Sequence, residues 1–170
     1  MITEVGSGYG RGRLDSPQTW AATTNDQSQW FKLTSLDGSR GPIRGVATKG
    51  REDYDQWVTR FKVSWLTAQG NWVFLQCSPS GPPAADCAFT GNTDRSTQVQ
   101  TVFAQAVHTS AVRIHPWTWN EHASMRAGLL VPPTECSEEE EEEEEESYDD
   151  GSYAEIGPGY CSDFAYLLRL

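Results

Sequence analysis

Between Gly50 and Trp65 the chain reads GREDYDQWVTRFKVSW, a polar loop that runs directly into a strict alternation. Val58, Arg60, Lys62 and Ser64 interleave with Trp57, Thr59, Phe61, Val63 and Trp65, the period of two required of a half-buried strand. The polar loop is thereby delivered to a sheet edge. The same design recurs where Phe89 to Thr97 precedes a Val99/Thr101/Phe103 alternation, and where the strand from Val112 ends in an aromatic loop reaching Asn120. Further candidate strands are Gln29–Leu33, Ile43–Lys49, Trp72–Gln76, Gln98–Val102, Ala111–Pro116 and Met125–Val131, with Val58–Trp65 among them. Thr67 to Trp72 reads as a hairpin loop. About eight short strands separated by turn residues predict an all-β sandwich or barrel.

Composition matters here because it is divided unevenly. The formal charge is −11, yet from Pro132 onward there are fourteen acids against the single Arg169, leaving twelve bases and ten acids in residues 1–131, a net of +2. All seven tryptophans precede Pro132. The chain therefore divides into a domain over 1–131 and an acidic tail over 132–170. Nine consecutive glutamates, Glu138–Glu146, cannot bury a core and repel one another, which predicts a solvated, disordered extension. The alternative for that run is a calcium sink or a strap for a basic partner. The apolar close, Phe164 to Leu170, is read either as docking back on the domain or as a docking peptide for another protein.

No stretch approaches the roughly 20 apolar residues that span a bilayer, and the first eight residues lack the basic and apolar regions of a secretory signal. His108, His115 and His122 sit at separate strand ends and loops, none predicted beside a nucleophile with a carboxylate to orient it, so catalysis is not expected. No glycine-rich loop precedes a helix, and no nucleic-acid partner is expected. Four cysteines allow three pairings. Cys77 and Cys87 bracket a Pro- and Gly-rich loop that a bridge would close, whereas four free thiols are the alternative in a reducing compartment.

These segments, in order with Arg13-Leu14-Asp15-Ser16 and with Asn25-Asp26 before Gln29-Trp30, closely resemble the discoidin domain, also called the coagulation factor 5/8 C-type domain, from near Thr3 to about Val131. GREDYDQWVT is similar to the corresponding loop of the slime-mould discoidin lectins. The resemblance implies a jelly roll of two packed antiparallel sheets whose loops at one end form the recognition surface, with Tyr9, Asp26, Arg51, Asp53 and Tyr54 at the matching positions. Such a set suits a sugar: charged donors and acceptors meet vicinal hydroxyls while a tyrosine ring covers the apolar side of a pyranose. The alternative for Asp26 is a turn cap, and for Arg51 a surface pair with Glu52 or Asp53.

The resemblance also places Cys136 where the family keeps its closing cysteine, with Cys161 as the partner that remains. It gives Arg126 a buried hydrogen-bonding role and Trp119-Asn120 a structural one. Trp30, Trp57, Trp65 and Trp72 are expected in core or strand packing. Two departures are visible. Arg51-Glu52-Asp53 stands in place of Arg-Gly-Asp, and the amino terminus is short enough to predict a missing first edge strand.

The functional expectation is a non-catalytic carbohydrate-binding or adhesion module, extracellular or at the cell surface, whose partner is a glycan or glycoprotein and which gains avidity as a homo-oligomer. The alternative is a structural subunit of a larger extracellular or ciliary assembly. Membrane insertion is disfavoured because the candidate loops are polar. No cofactor is required, with calcium left open.

Overall fold

A computed structural model describes residues 2–5, 8–9, 11–35, 37–76 and 87–133, with side chains described from residue 11 onward. The alternating segments form β-strands in the order β1 (Ile2–Val5), β2 (Gly8–Tyr9), β3 (Trp20–Ala22), β4 (Phe31–Thr34), β5 (Gly41–Lys49), β6 (Trp57–Leu66), β7 (Trp72–Phe74), β8 (Phe89–Thr90), β9 (Val99–Thr109), β10 (Ala111–Asn120) and β11 (Ser124–Leu130). One sheet runs β1-β4-β10-β6-β7, with β8 also on β6, and the other runs β2-β3-β11-β5-β9. The ladders between these strands are all antiparallel. The core between the sheets takes Trp20, Phe31, Leu33, Phe61, Val63, Ile114 and Met125, all fully buried. Trp20 stacks on Phe31 at 5.4 Å between ring centroids, and Phe89 bridges Phe61 and Phe103 at 5.9 and 6.2 Å.

All seven predicted strands are present, and the structure adds to them. The expected missing edge strand is not missing: β1 pairs with β4, Ile2 opposite Thr34 and Val5 opposite Phe31. The chain also does not leave the sheet after Pro116. It continues in β10 to Asn120, because β4 pairs only as far as Ile114 and the register slips between Pro116 and Thr118. A residue without an N–H is tolerated at such an irregularity.

The alternation that defines β6 holds, with one break. Val58 is buried, Arg60 exposed and Phe61 buried again, a change of parity that coincides with the slipped register opposite Thr118 and Trp119. Lys62 and Ser64 are buried although they point away from the core. Side chains of the neighbouring strands cover them: the Lys62 ammonium lies 3.6 Å from the Trp117 ring centroid. The tryptophans sort accordingly. Trp20 is the buried one, whereas Trp30 and Trp72 are half-buried and clasp Arg113 on the outer face.

Cys87 is buried and disulfide-bonded. Cys77, Cys136 and Cys161, and with them the pairing, lie outside the described residues. So does the acidic run Glu138–Glu146.

Candidate binding site

The ends of β3, β5, β8 and β10 lie toward one pole of the sandwich, and the loops that leave them, 23–30, 50–56, 91–98 and 121–123, are tied to one another. Arg126, at the start of β11, is the central tie. Its guanidinium donates to the Gly50 carbonyl at 3.0 Å, the Arg95 carbonyl at 3.1 Å and the Glu52 carboxylate at 2.7 Å, and it reaches the Ser16 carbonyl at 3.5 Å. The side chain is only 8% exposed. Glu52, the residue that breaks an Arg-Gly-Asp sequence, is thus the ion-pair partner of Arg126, with its own side chain 56% exposed.

Other loops are fixed in the same manner. Asn92 donates to the Thr48 and Thr97 carbonyls at 3.1 and 2.8 Å, and Asp94 accepts the backbone N–H groups of Ser96 and Thr97. Asn120 donates to the Asp55 carbonyl at 2.6 Å, and the Asn25 side chain bonds both the Ala123 N–H and the Glu121 carbonyl. Gly50 must be glycine because a Cβ there would stand 2.6 Å from the Asp94 carbonyl oxygen and 2.9 Å from Cβ of Trp57. Such close approach of two loops leaves no space for a side chain.

Arg51, Asp53 and Tyr54 are brought together on this pole. Arg51 Nε donates to Asp53 at 2.7 Å and Nη1 to Gln56 at 3.1 Å, while its guanidinium lies 4.2 Å from the centroid of the Tyr54 ring. The hydrogen bond from Arg51 holds the Asp53 carboxyl below its usual range, and the bond to Asp53 raises the Arg51 pKa. Tyr54 itself is 54% exposed. Arg51 and Asp53 form one wall of an open groove of about 630 Å³, and the other wall is Arg11, Gln18 and Thr19. Sequence reasoning missed those three, since they lie in a segment without periodicity. Their only mark is adjacency to Arg13–Ser16.

Asp26 stands apart from that groove. It accepts the Ser28 N–H at 2.8 Å, the Thr24 hydroxyl at 2.5 Å, the Ser28 hydroxyl and an amide proton of Gln29, an arrangement that caps its own turn. These bonds, those from Ser28 first, hold its carboxyl well below the usual range. For Tyr9 the backbone is described: it pairs with Ala21, which lines the groove.

His122 Nδ1 lies 3.2 Å from Ser124 Oγ, and His115 too has a hydroxyl beside it. Its Nε2 is 2.8 Å from Ser64 Oγ, and its ring packs on Phe74 at 4.9 Å. Burial, aided by the charges of Arg113 and Lys62, pushes its pKa down to about 4. No carboxylate orients it among the described residues. Nor, among those residues, do three or more His, Cys, Asp or Glu side chains converge in a way that would hold a metal ion. No described helix is long and apolar enough to cross a membrane.

The F5/8 type C domain model matches residues 3–129, most of the chain. The chain belongs to that family. A discoidin-1 polypeptide of Dictyostelium discoideum is 30% identical over 130 residues, covering 75% of this chain and 47% of that protein. The crystal structure of discoidin II from the same organism superposes with a TM-score of 0.57 at 29% identity, over 71% of this chain and 44% of that one. A family 32 carbohydrate-binding module from C. perfringens, solved in complex with galactose, gives the same TM-score of 0.57 at 11% identity, over 75% of this chain and 91% of that one, which is a likeness of fold alone. The chain spans about half the length of the curated relatives it matches. In this F5/8 type C domain the jelly-roll sandwich is intact and the polar groove sits at its loop pole.

Proposed function

We propose that this F5/8 type C domain is a non-catalytic carbohydrate-binding module acting in adhesion outside the cell, and that the groove at its loop pole takes the sugar. The observation that carries the reading is the pairing of Arg51 with Asp53 in the groove wall, with the half-exposed Tyr54 ring beneath the guanidinium. A guanidinium N–H and a carboxylate oxygen side by side present a donor and an acceptor to adjacent hydroxyls, and the tyrosine ring supplies apolar area. Arg11, Gln18 and Thr19 face them with further polar atoms. Loops locked by Arg126 supply the rigidity that a shallow site needs, since little binding energy is then spent on ordering. Homo-oligomers would add avidity to a weak single site.

The test is a glycan array run with wild-type protein, Arg51→Ala and Asp53→Asn, each with and without calcium. Selective binding by the wild type that falls at least about tenfold in both variants is expected, the loss of one charge-assisted hydrogen bond. Folded wild-type protein that binds no glycan at any density would overturn the reading.

A second reading, a subunit of a larger extracellular or ciliary assembly, is favoured by one feature of β9. Among the described residues that strand pairs only with β5, and Val102 on it is 62% exposed. An open edge with an exposed apolar residue is a surface for strand pairing.

A further inference from the structure

At the loop pole the fixed arginines each have their own carboxylate. Arg126 pairs with Glu52 at 2.7 Å, Arg51 with Asp53 at 2.7 Å and Arg95 with Asp55 at 3.3 Å. Asp26 and Asp94 are occupied by N–H and hydroxyl groups of their own turns. Arg11 is the exception. It is exposed, it lines the groove across from Arg51 and Asp53, and its side chain makes no hydrogen bond or ion pair among the described residues.

The main chain, not the side chain, holds Arg11 in that place. The carbonyl of the next residue, Gly12, accepts the Ala127 N–H at 2.8 Å, and the Arg11 carbonyl accepts the Arg13 N–H at 3.0 Å. Gly12 lies so close to β3 and β11 that a Cβ would stand 2.6 Å from the Trp20 nitrogen and 2.5 Å from the Met125 carbonyl oxygen. Only glycine allows that approach of backbone to backbone. The chain is thereby pressed against the sandwich, and the arginine beside it arrives at the groove with its guanidinium unspent.

The charges that line the groove are Arg11 and Arg51 against Asp53. Asp53 is already taken, because Arg51 reaches both of its oxygens, from Nε at 2.7 Å and from Nη2 at 3.3 Å. That pair is neutral as a unit. The uncompensated charge in the groove is therefore the one on Arg11. The rest of the lining is uncharged: Gln18 and Thr19 are polar, Pro17 and Ala21 apolar. The Thr19 hydroxyl is buried without a hydrogen-bond partner, so a ligand oxygen within reach of a rotation about χ1 would satisfy it. Asp15, close to Arg11 in sequence, is exposed and lies outside the lining. A neutral sugar would engage Arg51 and Asp53 and leave Arg11 idle, whereas an unspent guanidinium fork matches two oxygens of an anionic group.

We propose that the groove selects an acidic saccharide, whose carboxylate or sulfate oxygens accept the N–H edge of Arg11 while its ring hydroxyls meet Arg51 and Asp53. This inference rests on the sugar-binding reading above and adds to it the class of sugar. Selection is made at contact rather than at a distance, because the other carboxylates of the pole oppose long-range attraction and are screened beyond about 8 Å at physiological salt. Arg11 sets the specificity, and Arg51 with Asp53 holds the ring.

The test is a set of immobilised saccharides in matched triplets: glucose, galactose and mannose, each beside its uronate and its 6-sulfate. Wild-type protein, Arg11→Gln and Arg44→Gln are compared on it. Arg44 is exposed on β5 and is not part of the groove lining, so its loss removes the same charge without touching the site. The wild type is expected to hold at least one uronate or 6-sulfate about tenfold more tightly than the parent hexose. That ratio should fall to about one in Arg11→Gln and stay unchanged in Arg44→Gln, and the acid preferred within the triplet distinguishes carboxylate from sulfate. The urea midpoint of Arg11→Gln should match that of the wild type, since no side-chain bond is lost. Hexoses held as tightly as their acids would overturn this inference and leave the carbohydrate-binding module standing. So would an acid preference that survives Arg11→Gln, or one that falls equally in Arg44→Gln, because net charge would then be selecting. Folded wild-type protein that binds none of the triplets would overturn the module reading itself, and this inference with it.

Discussion

Two arginines of this domain are removed from solvent in opposite ways. Arg126, at the loop pole, is ringed by acceptors: two carbonyls within 3.1 Å and a carboxylate at 2.7 Å. Arg113, on the sheet face, is ringed by indoles and has a buried Nε without an acceptor. The first arrangement spends its donors on holding loops in place, with Nε, Nη1 and Nη2 each bonded to a loop acceptor, which is how a structural cation behaves. The second keeps a charge short of solvent and short of partners, which leaves it available to an anion. The groups that surround an arginine thus separate architecture from recognition more sharply than burial does.

The largest effect should come from breaking the first of these. Arg126→Ala removes the donor to Gly50 and Arg95 and the partner of Glu52 together, and should lower stability by about 3 kcal/mol. Urea denaturation would measure it, and glycan retention should fall in the same variant because Arg51 and Asp53 sit on the loop that is released. Arg126→Lys should recover only part, since an ammonium cannot fork between several acceptors. Arg113→Gln, by contrast, forfeits two cation–ring contacts and should cost about 1 kcal/mol. An Arg113 variant as damaging as Arg126→Ala would erase the distinction drawn between them.

The next effect sharpens the electrostatics of the sheet face. His115 is neutral in the folded protein down to about pH 4, whereas an ordinary histidine protonates near 6.5. A depressed folded-state pKa means that its contribution is fully present above 6.5 and is lost as pH falls toward 4. Across that window stability should decline by up to about 1.4 kcal/mol per pH unit. Urea midpoints at pH 7 and pH 5 would report it, and the decline should flatten in His115→Gln. A wild-type slope that persists unchanged in the variant would assign it to other groups.

Much of this molecule is legible in its sequence because period-two alternation is enforced by burial on one face. Every predicted strand appears, and the loop pole follows from the polar segments between them. What was illegible lies where pairing, rather than pattern, decides structure. Strands β2 and β8 have two residues each, too few to show a period. Pro116 reads as a strand end, yet β10 accommodates it through a register slip and an unpaired flank. Lys62 and Ser64 alternate with the core residues Phe61 and Val63 and yet are covered, because the rings that bury them arrive from β7 and β10. Of the candidate site, Arg51, Asp53 and Tyr54 came from one contiguous loop, while Arg11, Gln18 and Thr19 complete the groove from a segment whose proximity only folding reveals.

The smallest effect concerns Asp26, for which a sugar contact and a turn cap both fit the sequence. Its oxygens are already engaged by Ser28, Thr24 and Gln29, and those bonds favour the carboxylate. A depressed folded-state pKa contributes stability that is present above the ordinary carboxylate range and lost as pH falls below it. The urea midpoint of Asp26→Asn should therefore lie slightly below that of the wild type at pH 7, and the difference should shrink toward pH 2. The Ser28 amide should also exchange faster in the variant, since its acceptor has lost charge. If the cap is all that Asp26 provides, glycan retention at neutral pH is unchanged in Asp26→Asn while it falls in Arg51→Ala. The reverse pattern, full stability with lost retention, would move the sugar from the groove of Arg51 and Asp53 to the 23–30 loop, and the acceptor-filled pole would then hold its ligand at a residue whose hydrogen bonds are already made.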